Sequence, residues 1–203
     1  MPYSRDVTAP EPHVVVRPAL TQEAADVAWL AAMTFPLACP PDAAAAEVAR
    51  HVARQLTPAH FRRWSISADH VLLVAQSQDG AHLGYALLTY GLPDGAQDAA
   101  VLREATGSAG PYVELSKIYA HPDALGTGAA AALMRGAIDA AAHLGAAHLA
   151  EGHGSGDTPL WLGTNAANAR AQAFYRKHGF VVVGTRTYDV GGQAHDDVVM
   201  LRR

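Results

Sequence analysis

Tyr112–Ile138 reads YVELSKIYAHPDALGTGAAAALMRGAI, and the change of character along it decides the fold. The first part is a strand, because Tyr112, Val113, Leu115, Ile118 and Tyr119 are strand formers and His121-Pro122 stops them. A glycine turn follows, Leu125-Gly126-Thr127-Gly128, and runs directly into Ala129, Ala130 and Ala131. Leu133, Met134 and Ile138 then recur at helical spacing among good helix formers. Strand, glycine turn and helix start together make a place for phosphate. Glycine lets the backbone approach a ligand closely, and the free N–H groups of a helix start point at an anion. Taken alone, the stretch also satisfies a dinucleotide fingerprint, with Gly126, Gly128 and Ala131 in G-x-G-x-x-A and Glu151 about 20 residues on.

A second stretch separates these readings. Leu160–Gly184 reads LWLGTNAANARAQAFYRKHGFVVVG. A short apolar strand leads to Asn168, and Ala171 and Tyr175 follow so that all three fall near one helix face. Gly179 stands where a helix ends in the left-handed conformation, with Phe180 folding back on it. The glycine turn and this Asn-x-x-Ala-x-x-x-Tyr run, closed by Gly-Phe, lie in order roughly 40 residues apart. On these two motifs the chain resembles the GNAT N-acetyltransferases, over roughly residues 13 to 202. Leu125 departs from the Arg or Gln that usually opens the family's loop. The departure is of small consequence, because the loop works through backbone N–H groups.

The resemblance implies an α/β GNAT fold: a mixed, mostly antiparallel sheet of six to seven strands, splayed at its centre and flanked by about five helices. It implies acetyl-CoA as cosubstrate, no metal, and direct acetyl transfer to a primary amine. By the same resemblance the backbone of Ile118, Tyr119 and Ala120 bonds the pantetheine arm and thioester. The backbone of Leu125, Gly126, Thr127, Gly128, Ala129, Ala130 and Ala131 takes the pyrophosphate. Asn168 contacts the cofactor, and Tyr175 is the general acid. Asn168 also reads as a plain helix N-cap, and Tyr175 as a core tyrosine beside Phe174. The region of Met33-Thr34-Phe35 through Trp64, and the ending Asp197-Val198-Val199-Met200, are more loosely similar to a bacterial branch containing polyamine acetyltransferases. The alternatives are a protein lysine or N-terminal acetyltransferase, and a domain that binds acyl-CoA without turnover.

Glu114 is the candidate base. Strand alternation places it on the side of Ser116, Ile118 and Ala120, with Leu115, Lys117 and Tyr119 opposite. A carboxylate on a largely apolar strand needs a reason, and the family uses a strand glutamate, directly or through water; a buried ion pair is the plainer account. His121 and His153 are rival bases, and no histidines show metal-ligand spacing with a carboxylate partner. Cys39 lies in a proline-rich break without a motif and reads as structural.

Around these motifs the order is strand, helices, hairpin, strand, helix, strand, helix, hairpin. A dinucleotide-binding domain would repeat parallel strand–helix units instead. Residues 1–12 read as a flexible tail ahead of one domain at 13–203. A strand at 13–17 precedes helices capped by Thr21 to about Met33, by Asp42 over 43–56, and by Thr57-Pro58 through Trp64. Strands at 71–75 and 82–90 form a hairpin, residues 91–110 a long loop, and the central helix ends near Leu144 before Gly145. Residues 152–159 form a second loop, and Gly191-Gly192 turns the last hairpin, 180–190 with 195–201.

Half of the 203 residues are hydrophobic, enough for a sizeable core. The formal charge is −4 with no basic run, so nucleic acid is not the expected partner. The single cysteine cannot form an internal disulfide, which fits a reducing cytoplasm. No apolar run is long enough to span a membrane and no secretory signal is present. The expected partner is a small-molecule or peptide amine, with a homodimer left open.

Overall fold

The structure is a computed structural model and describes residues 14–39, 43–152, 158–190 and 193–202. The tail at 1–12, the Asp42 cap, most of the 152–159 loop with His153, and the Gly191-Gly192 turn lie outside the described residues.

Seven strands form one sheet in the order β1-β2-β3-β4-β5-β7-β6. They are β1 Val15–Pro18, β2 His70–Gln76, β3 His82–Gly91, β4 Tyr112–Ala120, β5 Leu160–Asn165, β6 Val181–Val190 and β7 Gln193–Arg202. All pairs are antiparallel except β4 with β5. The inner strands β2 and β3 carry near-continuous apolar runs because both faces of the sheet are covered. On one face, α5 (Ala129–Ala150) and α6 (Ala169–Lys177) close a core of Leu73, Leu88, Leu115, Leu133, Met134, Leu162 and Phe180. On the other, α1 (Ala24–Ala38) and α3 (Pro58–Ile66) pack on β2 and β3 through Val27, Leu30, Phe61, Val74, Tyr85 and Leu87. Further along that face, α4 (Ala96–Thr106) covers β7 and β6 through Leu102, Trp161, Val199 and Leu201. Helix α2 (Ala45–Gln55) flanks α1.

Four local expectations are corrected. Residues 91–110 are not a structureless loop: α4 starts after Gly95, carries Asp98 in its first turn, and ends on Gly107 in the left-handed conformation at φ 74°. The first helix is not capped by Thr21, which lies in a 3-10 turn; Glu23 instead accepts from the Leu20 N–H at 2.7 Å. That helix continues through Pro36, which falls in its final turn, where a lost backbone donor disturbs little. Finally, α5 runs past Gly145 to Ala150, because the missing Cβ of Gly145 leaves room for Thr158 against the helix. The Thr57-Pro58 start of α3 is as expected, with Thr57 Oγ1 accepting from the His60 N–H. No helix among the described residues is long and apolar enough to cross a membrane.

Candidate active site

The site is built where β4 and β5 part. Their parallel ladder joins only Val113 with Leu160 and Glu114 with Trp161. Beyond that point β4 continues to Ala120 and β5 to Asn165, so the edge of β4 at Ile118, Tyr119 and Ala120 faces a gap in the sheet. A strand edge outside a ladder presents backbone donors and acceptors to whatever enters.

At the end of β4, His121 caps a short 3-10 turn, its Nδ1 accepting from the Asp123 N–H at 3.2 Å. Its Nδ1 is thereby engaged within the turn. Leu125 is exposed, and Gly126 and Gly128 both hold positive φ, 81° and 80°. A Cβ at either glycine would point into open space, so glycine is required for backbone conformation there and the space before the turn is free. Thr127 fastens the turn, its Oγ1 donating to the Ala124 carbonyl at 2.7 Å and accepting from the Ala129 N–H at 3.3 Å. The N–H groups of Gly126, Gly128, Ala130 and Ala131 have no hydrogen-bond partner among the described residues. They stand at the positive end of a 22-residue helix.

Asn168 is the N-cap of α6, its Oδ1 accepting from the Ala171 N–H at 3.0 Å. The helix ends at Gly179 with φ 87°, and the Phe180 N–H reaches back to the Tyr175 carbonyl at 3.2 Å. Tyr175 is half-buried against Phe174 and Phe180, beside the cluster that holds Leu115 and Ile118 of β4 and Leu162 of β5. Burial pushes its phenol up to about 12, so it stays protonated. Its hydroxyl bonds to no described residue.

Glu114 lies on the opposite face from the one simple alternation gives. The pairing of β4 with β3 shifts between Leu115, opposite Leu88, and Lys117, opposite Leu87. Ser116 is the extra residue of a β-bulge. Glu114 therefore shares its face with Lys117 and Tyr119, on the side of α1, α3 and α4, while Leu115, Ile118 and Ala120 face α5. Burial raises the pKa of the Glu114 carboxyl, against the pull of Lys117 and Arg186, and Asp98 and Asp94 raise it further. Tyr175 and Glu114 thus approach the β4–β5 gap from its two sides.

Several neighbours of Glu114 carried no signal in sequence. Arg186 of β6 donates to Asp98 Oδ2 at 2.8 Å and reaches Asp197 Oδ2 at 3.3 Å, with its guanidinium 5.9 Å from the Trp161 ring. Gly163 is needed beside it, because a Cβ there would collide with the guanidinium. Lys117 stands 5.0 Å from the centre of the Trp64 ring, and its Nζ donates to Ser116 Oγ at 3.2 Å. Cys39 is structural, its Sγ donating to the Phe35 carbonyl at 3.4 Å. Among the described residues no group of three or more His, Cys, Asp or Glu side chains is arranged to hold a metal. A cavity of about 420 Å³ at Thr106, Ile138, Pro159 and Arg202 lies at the paired end of β4 and β5, away from the gap.

The acetyltransferase (GNAT) family model matches residues 41–180. An uncharacterised N-acetyltransferase of Mycobacterium tuberculosis is 39% identical over 180 residues, covering 89% of this chain and 97% of its own. Among solved structures, the PaiA N-acetyltransferase of Thermoplasma acidophilum in complex with coenzyme A superposes with a TM-score of 0.65 at 14% identity, covering 94% of this chain and 99% of that one. Arabidopsis thaliana NAA60 in complex with a bisubstrate analogue gives 0.65 at 14% identity, covering 94% and 98%. At these identities the likeness to the two structures is one of fold.

Proposed function

The chain belongs to the acetyltransferase (GNAT) family, and on that premise we propose that it moves an acetyl group from acetyl-CoA directly to a small primary amine, with Glu114 as base and Tyr175 as acid. One observation carries the reading. A helix start with four N–H groups that have no partner among the described residues opens onto a parted strand pair that has a carboxylate on one side and a protonated phenol on the other.

Each group has one task. The N–H groups of Gly126, Gly128, Ala130 and Ala131 suit a pyrophosphate, and the free space before the two glycines leaves room for it. The edge of β4 at Ile118, Tyr119 and Ala120 suits the amides of a pantetheine arm and the thioester carbonyl. Asn168 is committed to its helix through Oδ1 and keeps its amide N–H₂ for a cofactor contact. Glu114 takes the proton of the acceptor ammonium; a carboxylate whose basicity is raised by burial is better suited to that than an exposed one. The amine nitrogen bonds to the acetyl carbon as the carbon–sulfur bond breaks, and Tyr175 donates to the departing thiolate. Acetyl-CoA supplies only the activated acyl group. A polyamine acceptor has Asp94 and Asp98 near Glu114 in its favour and Lys117 against it.

The test is free-thiol release from acetyl-CoA across polyamines, aminoglycosides, amino acids and peptides, with calorimetric titration of coenzyme A alongside. Turnover with a small amine that is lost in Glu114→Gln is the expected result. Absence of coenzyme A binding by the folded protein would overturn the reading.

A further inference from the structure

The bulge at Ser116 brings two opposite charges to one face of β4, where each feels the other's field but no ion pair within 4.0 Å joins them. Glu114 makes no hydrogen bond or ion pair with a described residue. Lys117 is part-buried, yet no described carboxylate lies within 4.0 Å of its ammonium, which has only Ser116 Oγ and the face of Trp64. Burial lowers the pKa of Lys117 and Glu114 offsets this only in part, so an anion brought into contact would further favour its ammonium form. Glu114 is the anion that acts on Lys117, while Asp94 and Asp98 act on Glu114 and Asp69 on His70. His51 and His70, whose pKa values are lowered by burial and by the Lys117 charge, stay neutral beside it and can donate or accept hydrogen bonds. Phe35 stacks on His51 at 4.4 Å and meets Tyr119 edge-on at 6.5 Å, so the side chains around Lys117 on this face are aromatic.

We infer that the acceptor is a zwitterion, a primary amine that also carries a carboxylate, with the free α-amino acids as its class: Glu114 receives the amine and Lys117 the carboxylate. The inference rests on the acetyltransferase reading above and narrows its acceptor. Three residues along a strand span about 10 Å, less across a bulge, and both side chains are long enough to converge on one small molecule. A polyamine would set its second ammonium against Lys117, where like charges repel. A peptide N-terminus offers an amide carbonyl where the carboxylate should be.

The experiment compares acceptors that differ only in the carboxylate: phenylalanine with phenethylamine and lysine with cadaverine, together with spermidine and an alanine-led peptide. Wild type should prefer the carboxylated member of each pair by tenfold or more in kcat/KM, the range of a hydrogen-bonded charge pair. In Lys117→Met that preference should collapse toward unity, mainly through KM, and Lys117→Arg should restore part of it. Acetylation of spermidine, cadaverine or the peptide in preference to amino acids would overturn the inference and leave the acetyltransferase reading standing. So would a carboxylate preference that survives Lys117→Met, or coenzyme A binding with no carboxylated amine turned over. Loss of coenzyme A binding itself would sink both.

Discussion

Replacing Tyr175 with phenylalanine removes one hydroxyl and keeps the ring that packs on Phe174 and Phe180, at centroid distances of 5.7 and 6.1 Å. The hydroxyl bonds to no described residue, so its removal strands no partner, and the change in stability should stay within about 0.5 kcal/mol. The effect on rate should be much larger. With the phenol at about 12, only about 10⁻⁵ of it is ionised at pH 7, so the donor is present throughout. Against a free thiol near ~8.5, complete transfer of that proton is uphill by roughly 5 kcal/mol. On the proposed reading, Tyr175 as acid works chiefly by donating a hydrogen bond to the charge that grows on sulfur, with full proton transfer completed later. A hydrogen bond to a charged group contributes about 1.5–3 kcal/mol, so kcat should fall about 10- to 150-fold. The deficit should be the same from pH 7 to pH 10, because the phenol does not titrate in that window. It should shrink with an acyl donor whose thiol is a better leaving group. Thiol release at saturating acetyl-CoA, with thermal unfolding of both proteins in parallel, measures each part. Turnover within about twofold of wild type would assign Tyr175 to packing and leave solvent to protonate the thiolate.

Glu114→Gln should lower turnover about 10²- to 10⁴-fold at pH 7 and recover as rising pH supplies free amine, read from a pH–rate profile. Because the folded pKa of Glu114 is raised, ionising it opposes folding as pH climbs from the ordinary carboxylate value through the folded one. The Gln variant should therefore be the more stable protein at neutral pH, with no advantage once both states are protonated in acid, and melting curves across pH 3 to 8 test this. Gly128→Val forces a β-branched residue to φ 80° and fills the space before the helix start. Coenzyme A affinity by calorimetry should drop at least tenfold in a protein that still folds, and wild-type affinity would remove the turn from the cofactor site. Arg186→Met leaves Asp98 and Asp197, both largely buried, without their shared cation, and should cost about 3–5 kcal/mol in denaturant unfolding. A loss below about 1 kcal/mol would show that the three charges contribute little together.

The parts of this protein legible in sequence are those whose cause is local. A left-handed turn needs glycine, so Gly126, Gly128 and Gly179 announce their backbone, and Asn168 and Thr57 announce helix starts by the hydrogen bond their side chains make. The strands around Leu87 and Val113 follow from apolar residues that have to be buried somewhere. Helix α4 had local signals as well, in Gly95, Asp98 and Gly107, but Asp98 and Leu102 are its buried residues, so its apolar face is too narrow to show as a period.

The chemistry was decided at longer range. Period-two alternation assigns Glu114 to the face of Ile118, and a single bulged residue moves it to the face of Lys117 and Tyr119. The cause of that bulge is the register of β4 against β3, a relation between two strands that neither strand carries alone. Asp98 and Arg186, 88 residues apart, meet because α4 packs on the last hairpin and Gly184 lets Val101 approach it. Sequence by itself determined where the backbone turns left-handed and where α3 and α6 begin, because those depend on a few consecutive dihedral angles. Which charges share a face of β4 only the tertiary structure decided, because a side chain's partners are set by strand register and packing.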